Sequence, residues 1–451
     1  MHERWSGRIG FILANIGAAV GLGSIWKFPY EVGANGGSVF VFFYLAGLAL
    51  IVFPLVLAEF ALGRSGGADA AGSILAVAKK NGASRHWALV GTLGILTGFL
   101  ILSFYSVIGG WTIAYAVDAV HAGPSAADAQ QVRAAFEALL ASPVKMAFHH
   151  ALFMAIAAVI VARGIAHGIE AANKVLMPVL MLLVAALAVY SAIEGDFART
   201  VRFLFAFDPA KVTARAVLEA LGLGFFSIGV GLGLMITYAA YADEKINLGE
   251  VAWVTVASDT AVSFAAGFAI FPIVFANGLD PSSGPGLLFI TVPLAFAAVP
   301  FGAAASAGFF VLLFVAALAS AISLLELSAA WTARALGWGR QKATAATALA
   351  AWILGLATVL SFNLWADWFP LSRLKGFERA TLFDLTDHLT SNLLLPVGGF
   401  AISILAGWVL PWRWLKEELG VHRHAAALLH ALLRYIAPTA IAIATIAPYF
   451  A

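Results

Sequence analysis

The chain has 451 residues, of which 62% are hydrophobic and 11% charged, against roughly 25% charge in soluble domains; a water-soluble globule is excluded. The formal net charge of +2 implies no nucleic acid or other polyanionic partner. Cysteine is absent, which excludes disulfides, thiolate metal sites and cysteine nucleophiles.

Apolar runs of about 20 residues or more, long enough to cross ~30 Å of hydrocarbon as helix, recur along the chain. The ~10-residue alternating strands of a membrane β-barrel are missing. Charged and Gly/Pro-rich breaks place spans near 8–32, 39–62, 87–118, 148–163 and 170–194, then 214–241, 250–276, 301–331, 342–361, 382–409 and 428–448. The pattern predicts an all-α polytopic protein of about 11 helices in a lipid bilayer, a multi-pass protein of the cell (inner) membrane. The segment 277–300, with Pro281, Pro285, Pro293 and Pro300, is too interrupted to span and reads as an outer, lid-like loop. No cleavable signal pattern precedes the first span. With the N-terminus inside, roughly 16 of the 26 Lys and Arg lie on the cytoplasmic side, as the positive-inside rule requires. An odd number of spans then puts residues 448–451 outside.

Val20-Gly21-Leu22-Gly23 in the first span recurs as Val230-Gly231-Leu232-Gly233 in the sixth, flanked by Gly17 and Gly229. The chain therefore reads as a duplication: a five-helix repeat over 1–200, a second over 201–411, and an additional helix in 412–451. An odd number of spans per repeat inverts the second copy. Clustered glycines permit either close helix packing or unwinding, and their matched occurrence at one depth favours unwinding in both helices. Unwound backbone is tolerated within hydrocarbon only where it is buried in protein or lines a cavity. The N-terminus of a half-helix holds a carboxylate, and freed carbonyls hold a small hard cation. Together they describe a site for an amino acid with sodium beside it.

Ionisable residues inside spans cost about 2.5–3.5 kcal/mol each; here they are Lys27, Glu59, Asp259 and Glu326. Asp259, in Ala257-Ser258-Asp259-Thr260, is the candidate for meeting a cation. Glu59 and Glu326 read as carboxylates satisfied by backbone donors or serines. Lys27, near an outer end, either snorkels or serves the site. His149-His150 reads as an interfacial pair, because adjacent helical residues face different ways and no third ligand is near. Trp5, Trp338, Trp365, Trp368 and Trp412 fit interfacial belts. No nucleophile and base can be paired, so the chain is read as no enzyme and without an organic cofactor.

Ala19-Val20-Gly21-Leu22-Gly23-Ser24-Ile25-Trp26-Lys27-Phe28-Pro29-Tyr30, then Asn35-Gly36-Gly37, Glu59 before Leu62-Gly63-Arg64, Trp111 after Tyr105 and Gly168-Ile169-Glu170 form a pattern that continues through Phe225-Phe226-Ser227, Thr237-Tyr238 and Ser391-Asn392. In these residues, which extend over essentially the whole chain, the sequence resembles the neurotransmitter:sodium symporters, in particular their eleven-helix bacterial amino-acid branch. The resemblance implies inward, sodium-coupled transport of an amino acid by alternating access. By it, the substrate carboxylate would meet the amides of Leu22 and Gly23 and the hydroxyl of Tyr105, and the amino group would meet carbonyls of Ala19, Phe226 and Ser227. Val20, Ile101, Phe226, Gly229, Leu232, Ser320, Ser323 and Leu324 would form walls that suit a neutral hydrophobic or aromatic side chain.

One or two sodium ions are implied. The first would use Ala19, Ser24, Ser227 and Asp259; the second would use Gly17, Val20, Ala316 and Ser320. Ser24 stands where the family usually has asparagine and Ala319 where it has threonine, so each site has a shortened or missing oxygen ligand. The Asp259 carboxylate would supply the negative charge that chloride supplies in animal members, with Ser263 at one of the chloride-ligand positions. Chloride independence follows, with Asp259 taking a proton as the empty carrier resets. Lys27 and Asp387 would gate the outer side, with a weaker latch than arginine gives, and Trp5 and Tyr241 the inner side. His2 and Arg334 stand where a basic and an acidic residue are expected. A proton-coupled carrier on the same scaffold and a non-transporting amino-acid sensor are the alternatives. The sequence assigns no oligomeric state.

Overall fold

A computed structural model describes residues 3–121, 129–281 and 287–447; His2, Pro285 and the end at 448–451 lie outside them. The secondary structure of these residues is helical throughout, as expected of segments whose peptide groups must find their partners without water. The first predicted span is a pair, α1 (Arg8–Ala19) and α2 (Gly23–Ala34), bent by 50°. Then follow α3 (Ser38–Gly66), α4 (Arg85–Asp118), α5 (Pro143–Ala162) and α6 (Ile165–Glu194). The predicted span 214–241 consists of two pieces, α7 (Ala214–Ile228) and α8 (Leu234–Ala239), each too short to cross a membrane alone. The chain continues through α9 (Leu248–Ala276), α10 (Gly302–Leu336), α11 (Arg340–Ser361), α12 (Leu382–Val409) and α13 (Arg423–Ile446). Among the described residues nine helices are long and apolar enough to span, ten with the bent pair.

Most boundaries fall near the apolar runs, and the exceptions have local causes. Helix α5 starts at Pro143 rather than near 148, because the Ser142 hydroxyl caps it by accepting from Lys145 N (3.4 Å) and proline suits a first turn. The segment 277–300 departs from its reading as a loop. Leu287–Ala297 is a short apolar helix whose Leu287, Leu288, Phe289, Val292 and Phe296 are buried. Pro293 lies within this helix, and the Phe289 carbonyl, which proline leaves without an amide donor, accepts from Tyr115 Oη at 3.3 Å. Phe289 packs on Trp111 and Tyr115, with ring centroids at 5.6 and 5.2 Å. Prolines that interrupt a span thus do not prevent a short inserted helix.

Helices α10, α9 and α3 form the interior, with 83%, 67% and 61% of their apolar windows buried. Helix α6, at 28%, and α5 and α13, each at 33%, lie at the periphery. Lipid tails are as apolar as leucine, so helix association depends on close approach through small residues. Gly98 meets Leu327, and Gly110 meets the backbone of His149 and His150.

Two interruptions lie in the middle of this assembly. After α1, Val20 is extended (φ −75°, ψ 107°) and helix resumes at Gly23. After α7, Gly229 is left-handed, and Gly231 and Gly233 also have positive φ, at 92° and 74°. A Cβ on Gly231 would lie 2.5 Å from Leu395 O and 2.7 Å from Gly399 N, so conformation and space both require glycine here. Gly231→Ala will destabilise the protein by about 2 kcal/mol or more, seen as a lower Tm in detergent. Gly222→Ala on α7, where a Cβ meets nothing within 4 Å, will leave Tm unchanged.

Candidate functional site

Both interruptions border one mainly apolar cavity. Of the residues singled out from the sequence, Ala19, Leu22, Gly23, Ile101, Tyr105, Phe226, Ser227, Gly229, Leu232, Ser320 and Leu324 line it, as does Gly21 of the first glycine cluster, together with Ala18, Leu234 and Leu395, which were not. Val20 and Ser323 fall outside the lining. Val20 is fully buried and its carbonyl accepts from Ser320 Oγ (3.2 Å). Ser323 accepts from Tyr238 Oη (2.7 Å) and donates to Ala319 O (3.1 Å). Tyr105 is carried by α4, and its hydroxyl accepts from Leu22 N at 3.2 Å. The cavity therefore has a polar end, formed by an unwound amide and a phenol, and walls of Ile101, Phe226, Leu232 and Leu324.

A carboxylate and three hydroxyls adjoin the cavity. Asp259, fully buried on α9, accepts from Ser24 Oγ, from Ser227 Oγ (2.9 and 3.0 Å to its two oxygens) and from Tyr44 Oη (3.3 Å). Ser24 and Ser227, on α2 and α7, are themselves 3.2 Å apart. Charge-assisted bonds of this kind are what make a buried carboxylate tolerable. Sequence reading missed Tyr44, because a lone tyrosine in an apolar helix carries no signal until the fold brings it to Asp259. Ser263 is buried one turn farther along α9. On the opposite side of the first break, Ser320 Oγ donates to Gly17 O (3.4 Å) and Val20 O (3.2 Å). Ala316 is one turn before Ser320 on α10, and Ala319 Cβ faces Gly17, 3.5 Å from where a Cβ there would lie. Two oxygen clusters thus flank the first unwound segment.

Glu59 of α3 accepts from Gly231 N at 2.6 Å and so satisfies the second break. Glu326 does not have the backbone or serine partners expected for it: it accepts from Tyr241 Oη (2.9 Å) and is paired with Arg340. The histidine pair also divides differently from expectation. His149 is half-buried and its Nδ1 lies 2.8 Å from Lys145 O, but His150 is fully buried, 2.9 Å from Ser106 Oγ, where α4, α5 and α11 meet. Helical phase separates the two rings, one outward and one into the core.

Above the cavity, Lys27 Nζ is 3.6 Å from Asp387 and 3.7 Å from the centre of the Phe226 ring. Asp387 also accepts from Ser391 Oγ (2.8 Å). At the other end, Trp5 Nε1 donates to Tyr238 O (2.9 Å) and Trp5 N to Tyr241 O (3.3 Å), and the Trp5 indole meets both tyrosine rings edge-on. Arg334 is paired with Asp69 and borders a second cavity at this end together with Tyr241, Glu326 and Arg340.

Comparison with known proteins extends across the same elements. The family described as "Sodium:neurotransmitter symporter family" matches residues 2–126 and 131–365. An uncharacterized sodium-dependent transporter of Bacillus subtilis, YhdH, is 35% identical over 448 residues, covering 98% of this chain and 96% of its own. Another, from Haemophilus influenzae, is 30% identical over 424 residues, covering 92% and 91%. The crystal structure of MhsT in complex with L-phenylalanine superposes with a TM-score of 0.90 at 38% identity, covering 98% of this chain and 99% of that one.

Proposed function

The chain belongs to the sodium:neurotransmitter symporter family, a family of membrane transporters, and on that premise we propose that it moves a neutral hydrophobic or aromatic amino acid inward with sodium, by alternating access and without chloride. The observation that carries this reading is the buried group of Asp259, Ser24, Ser227 and Tyr44 beside a cavity with a polar end and apolar walls.

In this reading the substrate carboxylate takes the Leu22 and Gly23 amides and the Tyr105 hydroxyl. Carbonyls of Ala19, Phe226 and Ser227 take the ammonium. Helix ends suit both poles of a zwitterion, the anion at the free amides and the cation at the free carbonyls. The walls offer no counter-charge to an ionic side chain. MhsT, with its bound L-phenylalanine, supports an aromatic or hydrophobic substrate here as well.

Sodium, as co-transported cargo, takes hard oxygens. The first ion uses Ala19, Ser24, Ser227 and Asp259; the second uses Gly17, Val20, Ala316 and Ser320. Each oxygen set joins a broken helix to a continuous one: α1, α2 and α7 to α9 through Asp259, and α1 to α10 through Ser320. An ion drawing these oxygens together favours the state in which both helices close on the substrate, which is the differential affinity that coupling requires. A carboxylate at 259 supplies fixed negative charge next to the first ion, so no mobile anion is needed. The repeats over 1–200 and 201–411, the extra helix in 412–451 and a cytoplasmic N-terminus in the cell (inner) membrane complete the proposal.

Proteoliposomes will accumulate labelled phenylalanine, leucine or tryptophan under an inward sodium gradient and not in choline. Accumulation driven by a proton gradient alone would instead favour the proton-coupled carrier. Replacing chloride with gluconate will leave uptake unchanged in the unmodified protein. In Asp259→Asn, sodium dependence will shift to at least about tenfold higher concentration, and unchanged chloride-free uptake in this variant would count against the role given to the carboxylate. Tyr105→Phe will raise KM about 10- to 100-fold, the loss of one hydrogen bond to a charged group.

A further inference from the structure

A groove separate from the central cavity lies between the start of α4, the end of α10 and the start of α11, on the side of the molecule where Arg340 meets Glu3. It measures 490 Å³, within the ~300–1,000 Å³ of ligand pockets, and no charged side chain lines it. Its walls follow from helical spacing: Thr92, Leu96 and Phe99 recur along one face of α4, and Ser328, Thr332 and Leu336 stand on successive turns of α10. Leu96, Leu336 and Ala350 of α11 are exposed, so the groove opens away from the helix bundle, toward the surrounding bilayer. Its inner wall backs on the central cavity, since Gly98 meets Leu327 and Leu324, and Leu324 lines that cavity.

Four hydroxyls border the groove, and three are satisfied within the protein. Thr92 Oγ1 donates to Ala88 O (3.2 Å), Thr332 Oγ1 to Ser328 O (2.9 Å) and Thr347 Oγ1 to Thr332 Oγ1 (3.1 Å). The fourth, that of Ser328, has no hydrogen-bond partner although the residue is only 3% exposed. An unmet hydroxyl is costly in hydrocarbon, and water does not suit the position, because a bound water needs several polar partners and the neighbouring hydroxyls are taken. At the mouth of the groove, Trp338 follows the end of α10, and Lys342 Nζ lies 4.0 Å over its ring. Lys342 makes no ion pair among the described residues. Tryptophan and lysine at the ends of apolar helices mark the level of lipid headgroups.

We propose that the groove binds one glycerophospholipid, with its phosphate at Lys342, an ester carbonyl accepting from Ser328 Oγ, and an acyl chain along Leu96 and Phe99. Ser328 is two turns in from Leu336, and Phe99, beside Gly98 at the level of Leu324, lies deeper still. The order from mouth to deep end is thus cation, hydroxyl and apolar wall, and that of the lipid is anion, acceptor and hydrocarbon. A free amino acid does not fit, because nothing in the groove balances its two charges. The inference goes beyond the transport reading and does not depend on it.

Delipidated protein in detergent is titrated with ester-linked phosphatidylglycerol and with its dialkyl ether analogue, which lacks the carbonyl, and bound lipids are counted by native mass spectrometry. The first ester lipid will bind at least about tenfold more tightly than those that follow. Ser328→Ala will weaken the first ester lipid about fivefold, the loss of one hydrogen bond, and leave the ether lipid within about twofold. Without lipid its Tm will not fall, because the substitution removes an unmet hydroxyl. Lys342→Gln will weaken both lipids alike, and inorganic phosphate alone will not raise Tm. Ala350→Trp, which fills the groove, will weaken the first lipid at least about tenfold and leave later adducts unchanged. Three results would each overturn the proposal: equal loss of ester and ether lipid in Ser328→Ala, parental affinity for the first lipid in both Ser328→Ala and Ala350→Trp, or a Tm rise with inorganic phosphate alone. None of these readouts involves transport, so absence of amino-acid uptake would defeat the transport reading and leave the lipid site standing.

Discussion

A peptide group in hydrocarbon cannot borrow a partner from water, and in this protein that constraint bears hardest on the few residues where two helices stop and restart. Each unwound amide and carbonyl must be met by something carried on a neighbouring element. Glu59 is buried because Gly231 N needs an acceptor, and Tyr105 faces the first break where Leu22 N points. Ser320 is directed at the carbonyls of Gly17 and Val20. Two of these groups, Tyr105 and Ser320, also border the cavity, and this explains why the site and the structural weak point coincide.

The Asp259 cluster follows the same logic with a charge in place of an amide. A lone carboxylate at that depth would be prohibitive, yet three hydroxyls from α2, α3 and α7 converge on it. Those hydroxyls can turn their lone pairs toward a cation and their protons toward the carboxylate, so the arrangement is satisfied with or without an ion.

The parts of this architecture that were legible in the amino-acid sequence were those encoded locally. Mean hydropathy of +0.93 and long apolar runs mark the spans, and the matched glycine clusters mark both breaks: at the second, Gly229, Gly231 and Gly233 have positive φ, which glycine takes without penalty, and at the first, Gly21 leaves room for Ser320 Oγ, which a Cβ there would meet at 2.4 Å. Most of the residues lining the cavity follow from those clusters and from the resemblance they carry. What escaped is what only packing determines. Tyr44 meets Asp259 from 215 positions away, and Arg340 meets Glu3 from 337. Leu287–Ala297 looked like a loop because prolines mask a short buried helix, and His150 looked interfacial because its neighbour is. In each case the local pattern was ordinary, and the partner lay on another helix.

The two breaks share a sequence and differ in what holds them. The one near Gly231 is pressed by backbone: the carbonyls of Gly231 and Leu232 lie against Gly94 and Gly398, and Gly231 against Leu395 O and Gly399 N. The one near Gly21 is touched there by the tips of side chains, Tyr105 Oη and Ser320. Side chains can rotate through staggered wells at little cost, whereas backbone against backbone has nowhere to go. Two matching glycine motifs therefore sit in mechanically unequal surroundings, a bearing fixed in its housing around Gly231 and a looser elbow around Gly21.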